Sequence, residues 1–304
     1  MRVAITGATG LVGRHLVPAL QARGDEITAF SRDAARAPER LPGVAEVVEW
    51  DPVSAPAPAT ALSGLAAIVN LTGAPVDQRW TAEAKRQILD SRAIGTQNLV
   101  AGLEGAEPRP AVLVSASAAG YYGDRGDEVL DEDSGPGSDF LANVCVAWEA
   151  AADGAARLGV RVVKIRTGVA LDRSAGALAR MLLPFRLGLG GPIASGRQYL
   201  PWIALEDLLG IYLAALDHPD WSGPVNACAP NPARSRDFAR ALGRALHRPA
   251  VLPVPVFALR ILFGEVATVL AGGQRMVPGR PLDWGYEFKY PELAAALQAA
   301  LSSL

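Results

Sequence analysis

The stretch Thr6–Leu16, TGATGLVGRHL, decides the fold. It follows the β-branched run Arg2–Thr6 (RVAIT) and opens the helix-like segment GRHLVPALQARG. Each glycine has a physical reason to be there. Gly7 lets the chain turn tightly off the strand, Gly10 lets main chain approach a pyrophosphate, and Gly13 allows close helix–strand packing. The start of a helix, with free amides and a positive dipole end, suits that negative charge. The loop therefore points to a dinucleotide, with Gly7, Thr9, Gly10, Leu11, Val12 and Gly13 as the expected cradle. A glycine turn without a ligand is the plainer alternative.

Beyond the loop, short apolar runs recur at Glu26–Phe30, Ala45–Trp50, Ala66–Leu71, Ala111–Ala116 and Val160–Ile165. Helix-like segments separate them, several ending at a glycine suited to a C-cap. Strands alternating with helices imply a parallel sheet covered on both faces. Short right-handed crossovers then favour an α/β fold of the Rossmann type, a doubly wound parallel sheet. After Arg166 the rhythm changes to a glycine-rich stretch and then to several helices joined by proline-rich turns. The partition expected is a dinucleotide-binding domain over residues 1–170, with a return segment at about 200–228. A smaller, mainly helical substrate lobe takes residues 171–199 and 229–304.

Composition narrows the function. Of 304 residues, 29 are basic and 31 acidic, giving a formal charge of −2, with no basic run to mark a nucleic-acid partner. Cys145 and Cys228 are the two cysteines, and with three histidines they make no familiar zinc cluster. No metal is expected. The most apolar late stretch, VLPVPVFALRILFGEVATVLAGG, is broken by prolines, Arg260 and Glu265, which argues against a membrane span. The amino terminus lacks the apolar core of a signal peptide, so a cytoplasmic protein is the default. A monomer and a homodimer remain equally open.

The end of the second strand reads Phe30-Ser31-Arg32. NAD-binding folds usually place a carboxylate there for the ribose 2′-hydroxyl. A hydroxyl and a guanidinium instead suit a 2′-phosphate, so NADP(H) is expected over NAD(H). Asp33 follows at once, and Arg32 as a solvated loop residue is the alternative.

The loop GATGLVG, the strand end VNLTGAP, GTQNL in the next helix and VSASAAGYYG together resemble the extended short-chain dehydrogenases/reductases, in their sugar-epimerase-like branch. SDFLANVCVAWEAAA, LLPFRLGLGGPIASGRQYLPWIALEDL, PVNACAPNP and RALGRALHRPA are similar to its atypical "epimerase family" subgroup, some of whose members have been labelled cell-division-inhibitor-like. The likeness covers essentially the whole chain. It implies Ser31 and Arg32 at the adenosine ribose phosphate, Trp50 and Asp51 beside the adenine, and Leu71, Thr72, Gly73 and Ala74 along the cofactor. It also implies cofactor contacts for Arg92, where sugar epimerases carry asparagine, for Ser115, and for Arg166, Thr167 and Gly168 after the sixth strand. Arg166 is thereby a candidate anion holder, and a surface ion pair is the alternative for Arg92.

The same resemblance exposes a loss. The family's S-x-Y-x-x-x-K run, laid on SDFLANV, puts Phe140 at the tyrosine and Val144 at the lysine. A phenol titrates near pH 10, about three units above neutrality, so the tyrosine needs the lysine's charge to act as an acid or base. Phenylalanine has no proton to give and valine no charge. Phe140, Val144 and Trp148 recur at helical spacing and make one apolar face, expected to point toward the nicotinamide. Displaced groups are the remaining candidates: Ser117, whose slot is ambiguous with Ala118, and Tyr121 or Tyr122, for which packing is the plainer reading. Cys145 reads better as a small buried hydrophobe than as a nucleophile. In the second lobe, Ser195, Gly196, Arg197, Gln198 and Trp202 are candidates to line a cleft for an unknown small-molecule substrate, and Ala204 stands where many relatives have histidine. The readings are an NADP(H)-dependent epimerase/oxidoreductase-like protein without the usual pair, and an inactive NADP(H)-binding regulator.

Overall fold

The computed structural model describes residues 1–302. The first half alternates strand and helix: β1 (Arg2–Thr6), α1 (Gly13–Ala22), β2 (Glu26–Ser31), α2 (Ala37–Arg40), β3 (Glu46–Glu49), α3 (Ala59–Leu62), β4 (Ala67–Asn70) and α4 (Ala82–Glu104). There follow β5 (Val112–Ala118), β6 (Val129–Leu130), α5 (Phe140–Asp153), β7 (Arg161–Thr167), β8 (Val169–Leu171), α6 (Gly176–Arg186), β9 (Tyr199–Leu200) and β10 (Trp202–Ala204). Next come α7 (Leu205–Asp217), β11 (Gly223–Ala227), β12 (Ala233–Arg234) and α8 (Ser235–Ala245). The chain ends in α9 (Val256–Phe263), α10 (Val266–Ala271), β13 (Arg275–Met276), α11 (Gly279–Asp283) and α12 (Leu293–Ser302).

Seven strands form one sheet in the order β11-β7-β5-β4-β1-β2-β3, every pair parallel. Alternate residues of each strand feed two cores, because side chains along a strand point to opposite faces. Val3 and Ile5 pack with Leu16 and Leu20 of α1 and Leu208 and Ile211 of α7. Ala4, between them, faces Leu99 and Leu103 of α4 and Ala152 of α5. The return segment thus supplies α7 to one face and β11 to the edge of the same sheet.

A separate cluster joins Leu178, Leu182 and Phe185 of α6 to Phe238 and Leu242 of α8 and Leu297 of α12. Trp202 belongs to this core at 1% exposure, its indole N–H donating to the Asn231 carbonyl at 3.2 Å. That corrects its expected place in a substrate cleft: a large apolar ring is worth more inside a small lobe than at its rim. The apolar run after Val251 divides into α9 and α10, and no helix among the described residues is long and apolar enough to cross a membrane.

Candidate functional site

A groove of about 570 Å³ opens at the carboxyl ends of β1, β2 and β4. Gly7, Thr9 and Gly10 line it from the loop after β1, and Leu71, Thr72 and Gly73 from the turn after β4. Gly7 holds φ at +65°, and a Cβ there would fall 2.6 Å from the Leu71 carbonyl oxygen. A Cβ on Gly10 would meet only the Gly7 carbonyl oxygen, at 3.2 Å, and beyond it open space. These positions form a cradle that side chains would fill, which is the fit a pyrophosphate requires. Gly13 serves packing instead: a Cβ there would lie 2.5 Å from the Ala8 carbonyl oxygen. Leu11 and Val12, just before α1, and Gly13, its first residue, lie outside the groove lining. The floor is a buried hydrogen-bond chain in which Thr6 Oγ1 donates to Asn70 Oδ1 (2.7 Å) and Asn70 Nδ2 to Thr96 Oγ1 (2.9 Å). Ser115, 1% exposed, joins that chain by accepting from Asn70 Nδ2 at 3.3 Å; it lies under the groove and not in it.

At the β2 end, Ser31 and Arg32 line the groove together with Arg36 and Arg40. The last two are missed by the sequence reading, although SRDAARAPER carries arginines at a spacing of four. Asp33 does not oppose them. Its carboxylate accepts from the Arg36 amide (3.2 Å) and lies 3.7 Å from the Arg36 guanidinium. Trp50 and Asp51 form the facing wall. Trp50 packs edge-on against Phe30, ring centres 5.7 Å apart, and donates its N–H to Ala55. Asp51 accepts from the Val53 amide and the Ser54 hydroxyl, which fixes the turn.

Arg92, from α4, lies behind Gly73. It donates to the Ala74 and Ile88 carbonyls at 3.0 and 3.1 Å and stacks on Trp148 with 5.0 Å to the ring centre. Burial presses its pKa below the usual guanidinium value. Its bonds run to carbonyls, which hold a cation without neutralising it, and Trp148 Nε1 is buried without a hydrogen-bond partner among the described residues. This corner keeps a net positive charge and a spare donor.

Farther along, at the ends of β5 and β7, the expected reactive groups are locked together. Arg166, 3% exposed, donates from Nε and Nη2 to the two carboxylate oxygens of Glu149, at 2.8 and 2.9 Å. Ser117 donates to the same carboxylate at 2.7 Å. Tyr122, fully buried, accepts from Arg166 Nη1 (3.0 Å) and reaches Asn226 Oδ1 (2.6 Å), and burial drives its phenol pKa far above the ordinary range. Three expectations are therefore corrected. Arg166 is spent on Glu149 and holds no outside anion, Ser117 is enclosed, and Tyr122 is too deep to exchange protons with a ligand. Thr167 donates to the Ile165 carbonyl, and Gly168 is packed against Pro201, where a Cβ would meet a carbonyl oxygen at 2.5 Å. Both lie outside the groove lining, at the junction of β7 and β8, where β8 pairs with β10.

Tyr121 is different. It is half-buried, its ring lies 3.5 Å from the Arg166 guanidinium carbon, and its edge meets Tyr122. Of the three candidate reactive groups it alone keeps partial access. Phe140 opens α5, whose first turn is capped by Asp139 accepting from the Ala142 amide. Its ring meets Trp80 edge-on at 5.1 Å, with Lys85 Nζ 5.3 Å from its centre and paired to Glu265. Val144 is buried. Cys145 is also buried, which pushes its thiol up to about 12, so it is inert at neutral pH. Ser195 and Arg197 sit in an exposed turn, the Arg197 amide donating to Ser195 Oγ, apart from the residues that line the groove.

One contact set links the phosphate loop to the second lobe. Arg14, one residue past Gly13, donates to Asp172 at 2.6 Å; His15 Nε2 lies 2.9 Å from the same carboxylate, and Ser174 donates to it at 2.6 Å. Burial alone would raise the Asp172 pKa, but these bonds hold it well below the usual carboxylate range.

The pattern of the NAD dependent epimerase/dehydratase family matches residues 3–228, and that of a domain of unknown function, DUF1731, matches residues 254–300. The chloroplastic SDR39U1 homolog of Arabidopsis thaliana, an epimerase family protein, is 42% identical over 310 residues, 99% of this chain and 87% of its own. Human SDR39U1 is 39% identical over 98% of this chain and 99% of its own. A crystal structure of human SDR39U1, isoform 2, with NADPH superposes at a TM-score of 0.88, with 38% identity and full coverage of both chains. A parallel seven-stranded sheet, a glycine cradle and matched relatives along the entire length converge: this chain belongs to the NAD dependent epimerase/dehydratase family, as an atypical extended short-chain dehydrogenase/reductase of its epimerase-family branch.

Proposed function

We propose that this chain binds NADP(H) in preference to NAD(H), and that it is an epimerase/oxidoreductase-like protein working without the tyrosine–lysine pair. The observation that carries the reading is the trio Arg32, Arg36 and Arg40 at the end of β2, with Asp33 turned onto Arg36. A 2′-phosphate meets cationic forks there, and Asp33, which also lines the groove, is directed to the Arg36 amide and guanidinium. The human relative crystallised with NADPH supports the same choice. When bound, the nicotinamide supplies or accepts a hydride. The protein's part is to hold the diphosphate on the glycine cradle, to offer Arg92 as an uncompensated cation, and to exclude water with Phe140 and Trp80. Calorimetry should show tighter binding of NADPH than of NADH. Arg32→Ala should erase roughly a tenfold share of that preference, since a charge-assisted hydrogen bond contributes about 1.5–3 kcal/mol. Equal affinity of the wild type for both would remove the 2′-phosphate argument.

Tyr121 is then the proposed proton-exchanging group. A regulator that binds the dinucleotide without turnover is the second reading, and one observation favours it: Trp80, Phe140 and Lys85 are packed on each other where the family's phenol acts. A screen of nucleotide sugars, ketones and quinones for NADPH oxidation separates the two. Turnover that falls by about 10²–10⁴ in Tyr121→Phe is the expected result for the enzyme. No oxidation across the panel leaves the regulator.

A further inference from the structure

A second large hollow, about 650 Å³, lies along α8, lined by Arg236, Arg240, Arg244, His247 and Arg248 and by none of the residues that line the dinucleotide groove. The segment RDFARALGRALHR repeats arginine every fourth residue. Four residues advance a helix by about 6 Å, so the first three guanidiniums form a stripe down one face of α8. All five side chains are exposed. Among the described residues only Asp237 approaches them, 3.9 Å from Arg236 and 3.6 Å from Arg240, both longer than a hydrogen bond. Arg248 donates to the Arg186 and His247 carbonyls at 2.9 and 3.2 Å, which orients its guanidinium and leaves its charge intact.

Helix electrostatics explain only part of this stripe. Cations near a helix C-terminus complement its dipole, which covers Arg244 and Arg248. Arg236 stands in the first turn, where the dipole disfavours it, Arg240 at the middle gains nothing from it, and like charges four residues apart repel. The free protein pays for the arrangement.

The hollow is also shaped. Gly243 is buried, and a Cβ there would lie 2.7 Å from Ala250 Cβ and 2.8 Å from the Arg248 carbonyl oxygen. Its bareness lets the returning chain close onto the helix and make the floor. His247 turns the chain at φ +53°, an uncommon backbone state for a residue with a side chain. At the rim Val251 is 74% exposed, an apolar edge beside the charge.

From these features we infer that the α8 groove binds a ligand carrying two or more clustered phosphate groups, distinct from the dinucleotide. Guanidinium forks match phosphate oxygens two at a time, and the volume is that of a small-molecule site. The phosphates can belong to a soluble oligophosphate or to an anionic phospholipid headgroup, whose glycerol end the apolar rim would meet.

The test uses the full chain saturated with NADPH, in two arms. Calorimetry with inorganic tripolyphosphate probes the soluble source, and flotation with phosphatidylcholine vesicles, with and without cardiolipin, whose headgroup carries two phosphates, probes the lipid. At least one probe should bind saturably and more weakly as salt rises. The double variant Arg240→Ala/Arg244→Ala should weaken it about tenfold or more, with NADPH affinity and Tm unchanged. Tripolyphosphate alone binding assigns the soluble source; vesicles alone assign the headgroup. Binding of neither probe, or binding that the double variant leaves intact, overturns the inference.

Discussion

Glu149→Ala should destabilise the protein by about 3–5 kcal/mol, the cost of stranding a buried charge, and lower Tm by on the order of 10 °C. The carboxylate takes two bonds from Arg166 and one from Ser117, all within the interior. Removing it leaves a guanidinium that is 3% exposed with one neutral hydroxyl, one carbonyl and an aromatic face for company. Among the described residues, no other carboxylate lies at bonding distance from it. Removing both ends tells a different story: Glu149→Ala combined with Arg166→Met should recover a large part of the loss, because no unpaired charge remains. Urea unfolding of the two variants beside the wild type measures this. Equal destabilisation by the single and the double variant would show that packing around Tyr121 and Tyr122 matters more than the pairing.

Gly7→Ala should cost at least about 100-fold in NADPH affinity, or roughly 2.7 kcal/mol. Alanine at φ +65° is strained by about 1–2 kcal/mol on its own. Its methyl would also press on the Leu71 carbonyl carbon at 2.8 Å, main chain that cannot swing aside as a side-chain tip can. Relief must come from moving the turn after β4, which is the opposite wall of the groove. Calorimetry with NADPH reads the loss, and circular dichroism checks that the fold persists. A folded Gly7→Ala protein that binds NADPH as the wild type does would mean the ligand is not seated on this loop.

How much of this was legible in the sequence depends on the range of the interaction. β1 runs over Arg2–Thr6, the residues whose composition marks it, and β2 adds only Ser31 to the expected run. Buried parallel strands are continuous apolar runs, so the local pattern suffices. The groove is legible for a like reason, since its residues come in short local runs, Gly7 to Gly10 and Ser31 to Arg32, each at the end of a strand. The reactive end is not. Whether Arg166 is free depends on Glu149, which lies on another element, and whether Tyr121 or Tyr122 turns inward depends on Asn226, 104 residues beyond Tyr122. Trp202 misleads in the same way, because its lobe is assembled from α6, α8 and α12, which are distant in sequence. Arg36 and Arg40 were within reach, as their spacing follows from Arg32.

The bridge from Arg14 to Asp172 makes the seam between the lobes unequal. At that corner a nearly enclosed carboxylate, 5% exposed, is gripped from three sides, whereas Lys85–Glu265 and Arg180–Asp77 span the lobes as solvated pairs of the kind that contribute about 1 kcal/mol or less. The helix that leaves the diphosphate cradle is thereby braced by a carboxylate just beyond β8, so loss of Asp172 would slacken the cradle from its far end.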